Sequence, residues 1–191
     1  MTEISKFEEY GKYFLIHPFH VDEPIEAEGL LQNLRNVSTD LDVQLVNLDK
    51  VAGRKHLYFA ILNSLNAFAK GTNISRTLAV EFLLYASAQK QISEAIKTMG
   101  VDKETRNIAI VAIGGNEQST RLFVERLSSL AEYRSDDALL NGFDKGKINE
   151  LLSTFKISEK ELKAMTQKRT PIKETIQKLI IEKMALLPTM I

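Results

Sequence analysis

The segment between residues 71 and 92 carries polar groups that a purely buried helix would not need. Arg76 falls in the predicted first turn, where the helix dipole disfavours a cation, and Glu81 interrupts the apolar run. Cations bind phosphates, whereas amides and an aromatic ring such as that of Tyr85 bond to or stack on unpaired bases. These residue types suit a contact with single-stranded nucleic acid.

Two predicted helices are expected to bring such residues together. Apolar residues at helical spacing predict a helix from about Lys55 to Lys70, Gly71 ends it, and Ser75 is predicted to cap the next helix. Helices joined by a short turn normally lie antiparallel, so the start of the first should lie near the end of the second. The predicted nucleic-acid-binding residues are Arg54, Lys55, His56, Asn73, Ser75, Arg76, Tyr85, Gln89, Lys90 and Gln91.

A solvated helix face is the alternative interpretation of the same charges. The chain has 25 Lys and Arg residues and 25 Asp and Glu residues, so its formal net charge is zero. This balance argues against a protein that binds nucleic acid mainly through its overall field, although it allows a local basic patch.

Glu81 also has a structural interpretation. It lies five positions after Arg76, which is a poor separation for an ion pair along a helix. We therefore expect its carboxylate to hold a backbone group or a neighbouring loop.

The sequence contains no conventional catalytic or metal-binding pattern. The absence of cysteine excludes disulfides, thiolate zinc sites and thiol catalysis, and His17 and His20 have no third ligand near them in the sequence. Gly114 and Gly115 follow a predicted strand without a dinucleotide or Walker pattern. We interpret them as a turn that uses positive φ, with an anion-binding nest as the alternative. We expect neither an enzyme nor a bound cofactor or metal.

The pattern of elements predicts an α+β fold in a single domain covering residues 1–191. Strands are predicted over Lys12–His17, Asp42–Leu48 and Arg106–Ile113, with Pro18 ending the first. About eight helices are expected around a small, mostly antiparallel sheet of about three strands. The C-terminal half should be helical.

The last part of the chain, residues 171–191, is predicted to be a terminal helix and tail. Its apolar residues occupy more than one helix face, whereas a helix that only covers a core needs one stripe. The surplus predicts a protein interface, and packing against two neighbours within the domain is the alternative. The predicted interface residues are Ile180, Ile181, Leu186, Leu187, Met190 and Ile191.

The polar helical segment resembles the small kinase-binding subunit of the KEOPS (EKC) complex, the PRPK-binding protein family of archaea and eukaryotes. The matching residues are Asn-Ile-Ser-Arg at 73–76, Glu81, and Ser-Ala-Gln-Lys-Gln-Ile at 87–92. Residues 44–47, 53–57 and 100–113 are also similar to the family. The resemblance covers the chain to about Asp136, with only a general pattern beyond it.

The resemblance implies a non-catalytic subunit of an assembly that makes threonylcarbamoyladenosine in tRNA. It implies two partners, the kinase-like subunit of KEOPS and tRNA with its single-stranded 3′ CCA end. It further implies that the C-terminal tail influences the kinase-like subunit. A stand-alone kinase-binding regulator without nucleic-acid binding is the alternative, and no small-molecule substrate is expected.

The sequence also gives an expectation for localisation. The first residues lack the apolar core of a signal peptide, and no apolar run approaches the roughly 20 residues of a membrane span. We expect a protein of the cytoplasm, and also of the nucleus if the source is eukaryotic, without membrane contact.

Overall fold

The computed structural model describes residues 2–130, 133–165 and 170–189. Within these residues a four-stranded antiparallel sheet, in the order β1-β2-β4-β3, is combined with eight α-helices. The strands are β1 (Ile4–Phe7), β2 (Lys12–His20), β3 (Leu41–Asn47) and β4 (Asn107–Gly114). The helices are α1 (Ala27–Asn36), α2 (Arg54–Lys70), α3 (Leu78–Ser87), α4 (Ile92–Met99), α5 (Glu117–Ser129), α6 (Lys145–Thr154), α7 (Glu159–Met165) and α8 (Ile172–Leu186).

The predicted α+β class is confirmed, with one strand more than expected. Strand β1 pairs antiparallel with the start of β2, from Ile4 opposite Leu15 to Phe7 opposite Lys12. It has only four residues, so its sequence carries too little alternation to be recognised as a strand.

The two faces of the sheet are covered by different helices because side chains alternate along each strand. On β4, Val111 belongs to the larger core with α2, α3 and α8, whereas Ile110 belongs to the smaller core with α1 and α5. The first face therefore supports the helices that carry the candidate site.

Strand β2 continues through Pro18, contrary to the predicted end at that residue. Pro18 lies opposite Ala109 of β4, and its carbonyl accepts from the N–H of Asp136 on the other side. In a strand, the backbone nitrogen of a residue points to the same side as its carbonyl, so the Pro18 nitrogen also points away from β4. Strand β1 ends before this position and therefore needs no donor from residue 18. The strand tolerates proline here because no β-ladder bond is lost.

The free edge of β3 is closed by side chains instead of by another strand. Arg35 of α1 donates from Nε and Nη2 to the Val43 carbonyl at 3.3 and 3.2 Å. The Leu45 N–H donates to the side-chain oxygen of Gln44 at 3.1 Å. Occupied backbone groups leave this edge a poor template for pairing with another chain.

Helices α2 and α3 lie antiparallel, as predicted, and His56 joins their neighbouring ends. The imidazole Nδ1 accepts from the N–H of Ala52 at 3.1 Å, and Nε2 donates to the Ala86 carbonyl at 2.8 Å. The side chain is fully buried, and burial lowers its pKa from 6.5 to about 4, with a further contribution from the charge of Lys147. The folded protein therefore holds this imidazole neutral.

The neutral His56 should make the fold sensitive to acid. Because its folded pKa lies below the unfolded value, stability is present above pH 6.5 and is lost as the pH falls towards 4. The shift corresponds to a loss of about 3 kcal/mol. Denaturant unfolding between pH 7.5 and 4 measures this loss.

The variant His56→Gln should be less stable at pH 7 and show a weaker decline of stability with acid. Some decline should remain, because burial also lowers the pKa of His17. The matched control is His20→Gln, since the His20 side chain is 48% exposed. If stability declines as steeply with acid in His56→Gln as in the wild type, His56 is not a source of the acid sensitivity.

Candidate nucleic-acid interface

The loop before α3 is held by the buried carboxylate of Glu81. This side chain belongs to a residue only 1% exposed, and its Oε2 accepts from the N–H groups of Ile74 and Ser75 at 3.0 and 2.8 Å. The Asn73 amide adds a bond to the Ser75 carbonyl at 2.9 Å. The predicted role of Glu81 in holding a neighbouring loop is confirmed, and a buried charge is compatible with the core because it receives these bonds.

Helix α3 begins at Leu78, and its N-cap is Thr77 instead of the predicted Ser75. The Thr77 hydroxyl accepts from the Val80 N–H at 3.4 Å, and the backbone of Thr77 is extended. Ser75 instead donates its hydroxyl to the Thr77 carbonyl at 2.7 Å. Arg76 therefore lies outside the first helical turn, exposed on the loop.

Two predicted nucleic-acid-binding residues are not available at the surface. His56 has no exposed area, and its ring nitrogens are occupied between α2 and α3. Ser75 is 4% exposed, with its hydroxyl bonded to the loop backbone. For these two residues the prediction is wrong, because the packing of the helices places the side chains inside.

The predicted cations do not line one common surface. Arg54 is bonded to Asp137 at 2.6 Å, whereas Lys55 faces a groove against α8. Lys90 lines a different cleft, and Arg76 lies on the loop that precedes α3. The predicted set is therefore divided between two neighbouring depressions and the loop.

The cleft that contains Lys90 also receives Tyr85 from the predicted set. It has a volume of about 490 Å³ and lies where α2, the loop before α3 and the end of α8 meet. Two lysines line it, Lys70 and Lys90, and none of its described lining residues is acidic. We call this depression the lysine cleft. Its described lining residues are Asn63, Asn66, Ala67, Lys70, Thr72, Ile74, Tyr85, Lys90, Ala185, Leu187 and Pro188.

The lysine cleft combines groups that can bind phosphate and base. Tyr85 is 6% exposed, and burial, followed by the charge of Glu81, raises the pKa of its phenol, so the hydroxyl remains a donor at neutral pH. Asn66 accepts from the Tyr10 hydroxyl at 2.6 Å, and Ile74 is 50% exposed. Ammonium groups, amides, a hydroxyl and apolar surface are the components of a single-strand site.

Part of the lysine cleft was missed in the sequence. Asn63, Asn66 and Lys70 stand three and four positions apart on α2, so they share one helix face. That polar stripe was the available signal. The contribution of α8 comes from tertiary packing and has no local signal.

The remaining predicted residues lie near the two ends of α3. Gln89 and Asn73 are partly exposed and Gln91 is exposed, at the position that precedes α4. Their contact with nucleic acid stays a prediction.

The C-terminal helix is largely part of the protein core. Ile180 has no exposed area and Leu187 is 1% exposed, so both are wrong as interface residues. Helix α8 packs against α2, α3, α6 and α7, which explains why it needs more than one apolar stripe. The alternative of packing within the domain is confirmed for these two residues.

Two predicted interface residues remain on the outside of α8. Leu186 is 47% exposed, and Ile181 is partly exposed in the groove against α2. This α2–α8 groove has a volume of about 470 Å³ and contains Lys55, Phe59 and Ala185 among its lining residues. Met190 and Ile191 lie outside the described residues.

The glycine pair after β4 forms a turn, but neither glycine has positive φ. A side chain at Gly114 would collide with Leu41, which accounts for that glycine by close packing. Asn116 then caps α5, because its side-chain oxygen accepts from the N–H groups of Gln118 and Ser119 at 2.8 and 3.3 Å.

Neither a metal cluster nor a membrane span is found in the described part of the chain. His17 is 2% exposed and bonded to the Tyr133 carbonyl at 2.7 Å. Across residues 2–130, 133–165 and 170–189, no group of three or more His, Asp or Glu residues is placed to hold a metal. Among the same residues, no helix has the length and hydrophobicity to cross a bilayer.

Comparison with known proteins confirms the family suggested by the motif. The family model described as kinase binding protein CGI-121 matches residues 25–187, which include most of the lysine cleft and all of α8. The match also extends well beyond Asp136, where the sequence resemblance became general. The chain belongs to the CGI-121 family of kinase binding proteins.

Two relatives support this assignment. The KEOPS complex subunit Cgi121 of Pyrococcus abyssi is 29% identical over 111 residues, which are 56% of this chain and 65% of the relative. The EKC/KEOPS complex subunit CGI121 of Yarrowia lipolytica is 24% identical over 113 residues, or 59% and 65% of the two chains. The matched part thus spans just under two thirds of each relative.

Removing the carboxylate of Glu81 should destabilise the protein and release the loop. Glu81→Ala leaves the N–H groups of Ile74 and Ser75 without their acceptor, and we expect a loss of about 2 kcal/mol in the free energy of unfolding. Denaturant unfolding measures the loss, and hydrogen exchange at the two amides locates it. The control is Glu94→Ala on the exposed side of α4. Undiminished protection of both amides in Glu81→Ala would refute the role of Glu81.

Proposed function

We propose that this protein is the non-catalytic, kinase-binding subunit of a KEOPS-type complex in the cytoplasm. It binds the kinase-like subunit and the 3′ CCA end of tRNA, and it thereby supports the threonylcarbamoyl modification of adenosine. Membership in the CGI-121 family and the names of two relatives support the place in such a complex. The observation that carries the RNA contact is the lysine cleft, with two cations and no acidic residue in its described lining.

The cleft suits a short single strand better than a duplex. Lys70 and Lys90 provide charge for about two phosphates, so the isolated subunit should bind weakly and with a modest salt dependence. Such a contact, distant from the modified base, acts as a tether. It raises the effective concentration of tRNA at the catalytic subunits without contributing any chemistry.

The second partner, the kinase-like subunit, fits the outer side of the C-terminal helix. The family description names kinase binding, and Leu186 is 47% exposed beside the α2–α8 groove. The groove combines apolar residues such as Phe59 and Ile181 with charged residues such as Lys55, and this mixture suits a protein partner.

A stand-alone regulator that binds a kinase but no nucleic acid is the second candidate. It is favoured by one observation, the distribution of Arg54 and Lys55 away from the lysine cleft. It differs from the first proposal in predicting no RNA binding by any variant.

Charge reversal in the cleft tests the RNA contact. Lys90→Glu and Lys70→Glu should each weaken binding of a tRNA transcript about tenfold or more at low salt, because an attraction for phosphate becomes a repulsion. The slope of log K against log salt should fall by about 0.7 for each phosphate that the variant no longer neutralises. Fluorescence anisotropy with intact tRNA and with tRNA lacking its CCA end measures both effects.

The matched control is Lys97→Glu, on the exposed face of α4 and outside the described lining of the lysine cleft. Arg76→Glu separately tests the exposed loop cation and should also weaken binding. Equal affinities of the wild type, Lys90→Glu and Lys97→Glu would refute the lysine cleft as the RNA site, and unchanged affinity after trimming of CCA would refute the contact with that end. No RNA binding by the wild type would favour the second candidate.

Placing a charge on the outer side of α8 tests the kinase contact. Leu186→Asp should reduce affinity for the kinase-like subunit at least about tenfold, since a buried apolar contact becomes a desolvated carboxylate. Leu122→Asp is the control, because Leu122 is 55% exposed on α5, at the other face of the sheet. Calorimetric titration of both variants provides the comparison. An equal affinity for both would place the docking surface elsewhere.

A further inference from the structure

The last turn of α8 separates the two depressions. Ala185 lines the lysine cleft on one side and the α2–α8 groove on the other. Leu187 and Pro188 continue the wall of the lysine cleft beyond the end of the helix. The lysine cleft is therefore lined by α2 and the loop before α3 together with a segment distant in sequence, the end of α8.

The position of this turn is fixed by the core. Met184 has no exposed area and Leu187 is 1% exposed, so side chains on both sides of Ala185 are anchored. Elsewhere on α8, Gln177 donates to the Ala52 carbonyl at 2.5 Å, and Lys183 is bonded to Glu161 at 3.0 Å. A wall held in this way has a defined distance from the lysines across the cleft.

The wall also contributes no charge and little bulk. Ala185 carries one methyl group, and the charged residues of the described cleft lining are Lys70 and Lys90. Because Ala185 lines the lysine cleft, a charge introduced at residue 185 stands at the border of the space that Lys70 and Lys90 also line. The sign of this charge should then decide whether a phosphate is attracted or repelled.

We propose that the C-terminal end of α8, through the exposed Ala185 and Pro188, is part of the RNA-binding site and sets its affinity for a single strand. The inference rests on the proposed function, since it requires that the lysine cleft binds RNA. It extends that function by assigning the C-terminal helix to RNA recognition in addition to kinase docking.

Single substitutions at Ala185 test the proposal with a fluorescent oligoribonucleotide that ends in CCA as the probe. Ala185→Glu should weaken binding about fivefold at low salt and less at high salt, because a like charge then faces the phosphates. Ala185→Lys, similar in length and opposite in charge, should tighten binding. It keeps the test valid if the acidic variant fails to fold.

The matched control is Ile172→Glu, which makes the same change of net charge at an exposed site on the same helix. It lies about 20 Å away along the helix axis and should leave affinity within about twofold. Thermal unfolding verifies that each variant is folded.

The outcomes separate this inference from the proposed function. The proposed role of the α8 end in RNA binding is supported if Ala185→Glu weakens binding, Ala185→Lys tightens it and Ile172→Glu leaves it unchanged. If Lys90→Glu abolishes binding while both Ala185 variants match the wild type, the role of the α8 end is refuted, and the lysine cleft remains the RNA site. Equal weakening by Ala185→Glu and Ile172→Glu would show that overall charge causes the effect, and it would also refute the role of the α8 end. Failure of the wild type to bind at all overturns the proposed function.

Discussion

The geometry of the candidate site depends on one buried carboxylate. Glu81 is almost completely inside the protein, where an unpaired charge would be strongly unfavourable. Its oxygen accepts from consecutive backbone N–H groups of Ile74 and Ser75, so the charge is stabilised only when the loop adopts this conformation. The loop in turn places Ile74 in the cleft, and the hydrogen bonds of Glu81 thereby set one side of a surface whose described lining contains no acidic group.

The second constraint is the packing of helices on one face of the sheet. The buried neutral ring of His56 joins α2 to α3 by donating to the Ala86 carbonyl, and it accepts a second bond from the N–H of Ala52 just before α2. Helix α8 covers the same core from outside. Because α8 is anchored along its length, its last turn borders both the lysine cleft and the groove beside Leu186. Helix α8 therefore belongs to the core and also borders the two surfaces proposed to bind RNA and the kinase-like subunit.

Local rules predicted most elements of the fold, because caps and helix breakers act on their own segment. Helix α2, for example, ends at Gly71 as expected, and this glycine has the left-handed backbone conformation of a C-cap. The errors occurred where tertiary context decides. Pro18 is compatible with β2 because β1 ends before this position and, among the described residues, the outer side is met by an isolated bridge between Phe19 and Ser135. The proline itself does not indicate this arrangement.

The candidate site was predictable only in part, for the same physical reason. Tyr85 and Lys90 share the cleft because they belong to one local segment, whereas the wall at Ala185 is brought there by the fold. His56 shows the opposite error, since a titratable residue type suggested a surface role. The structure buries it together with Ala60 and Ser64, which follow at intervals of four residues on the same face of α2. The helix face on which His56 lies, and not its residue type, therefore determines whether this side chain reaches the surface.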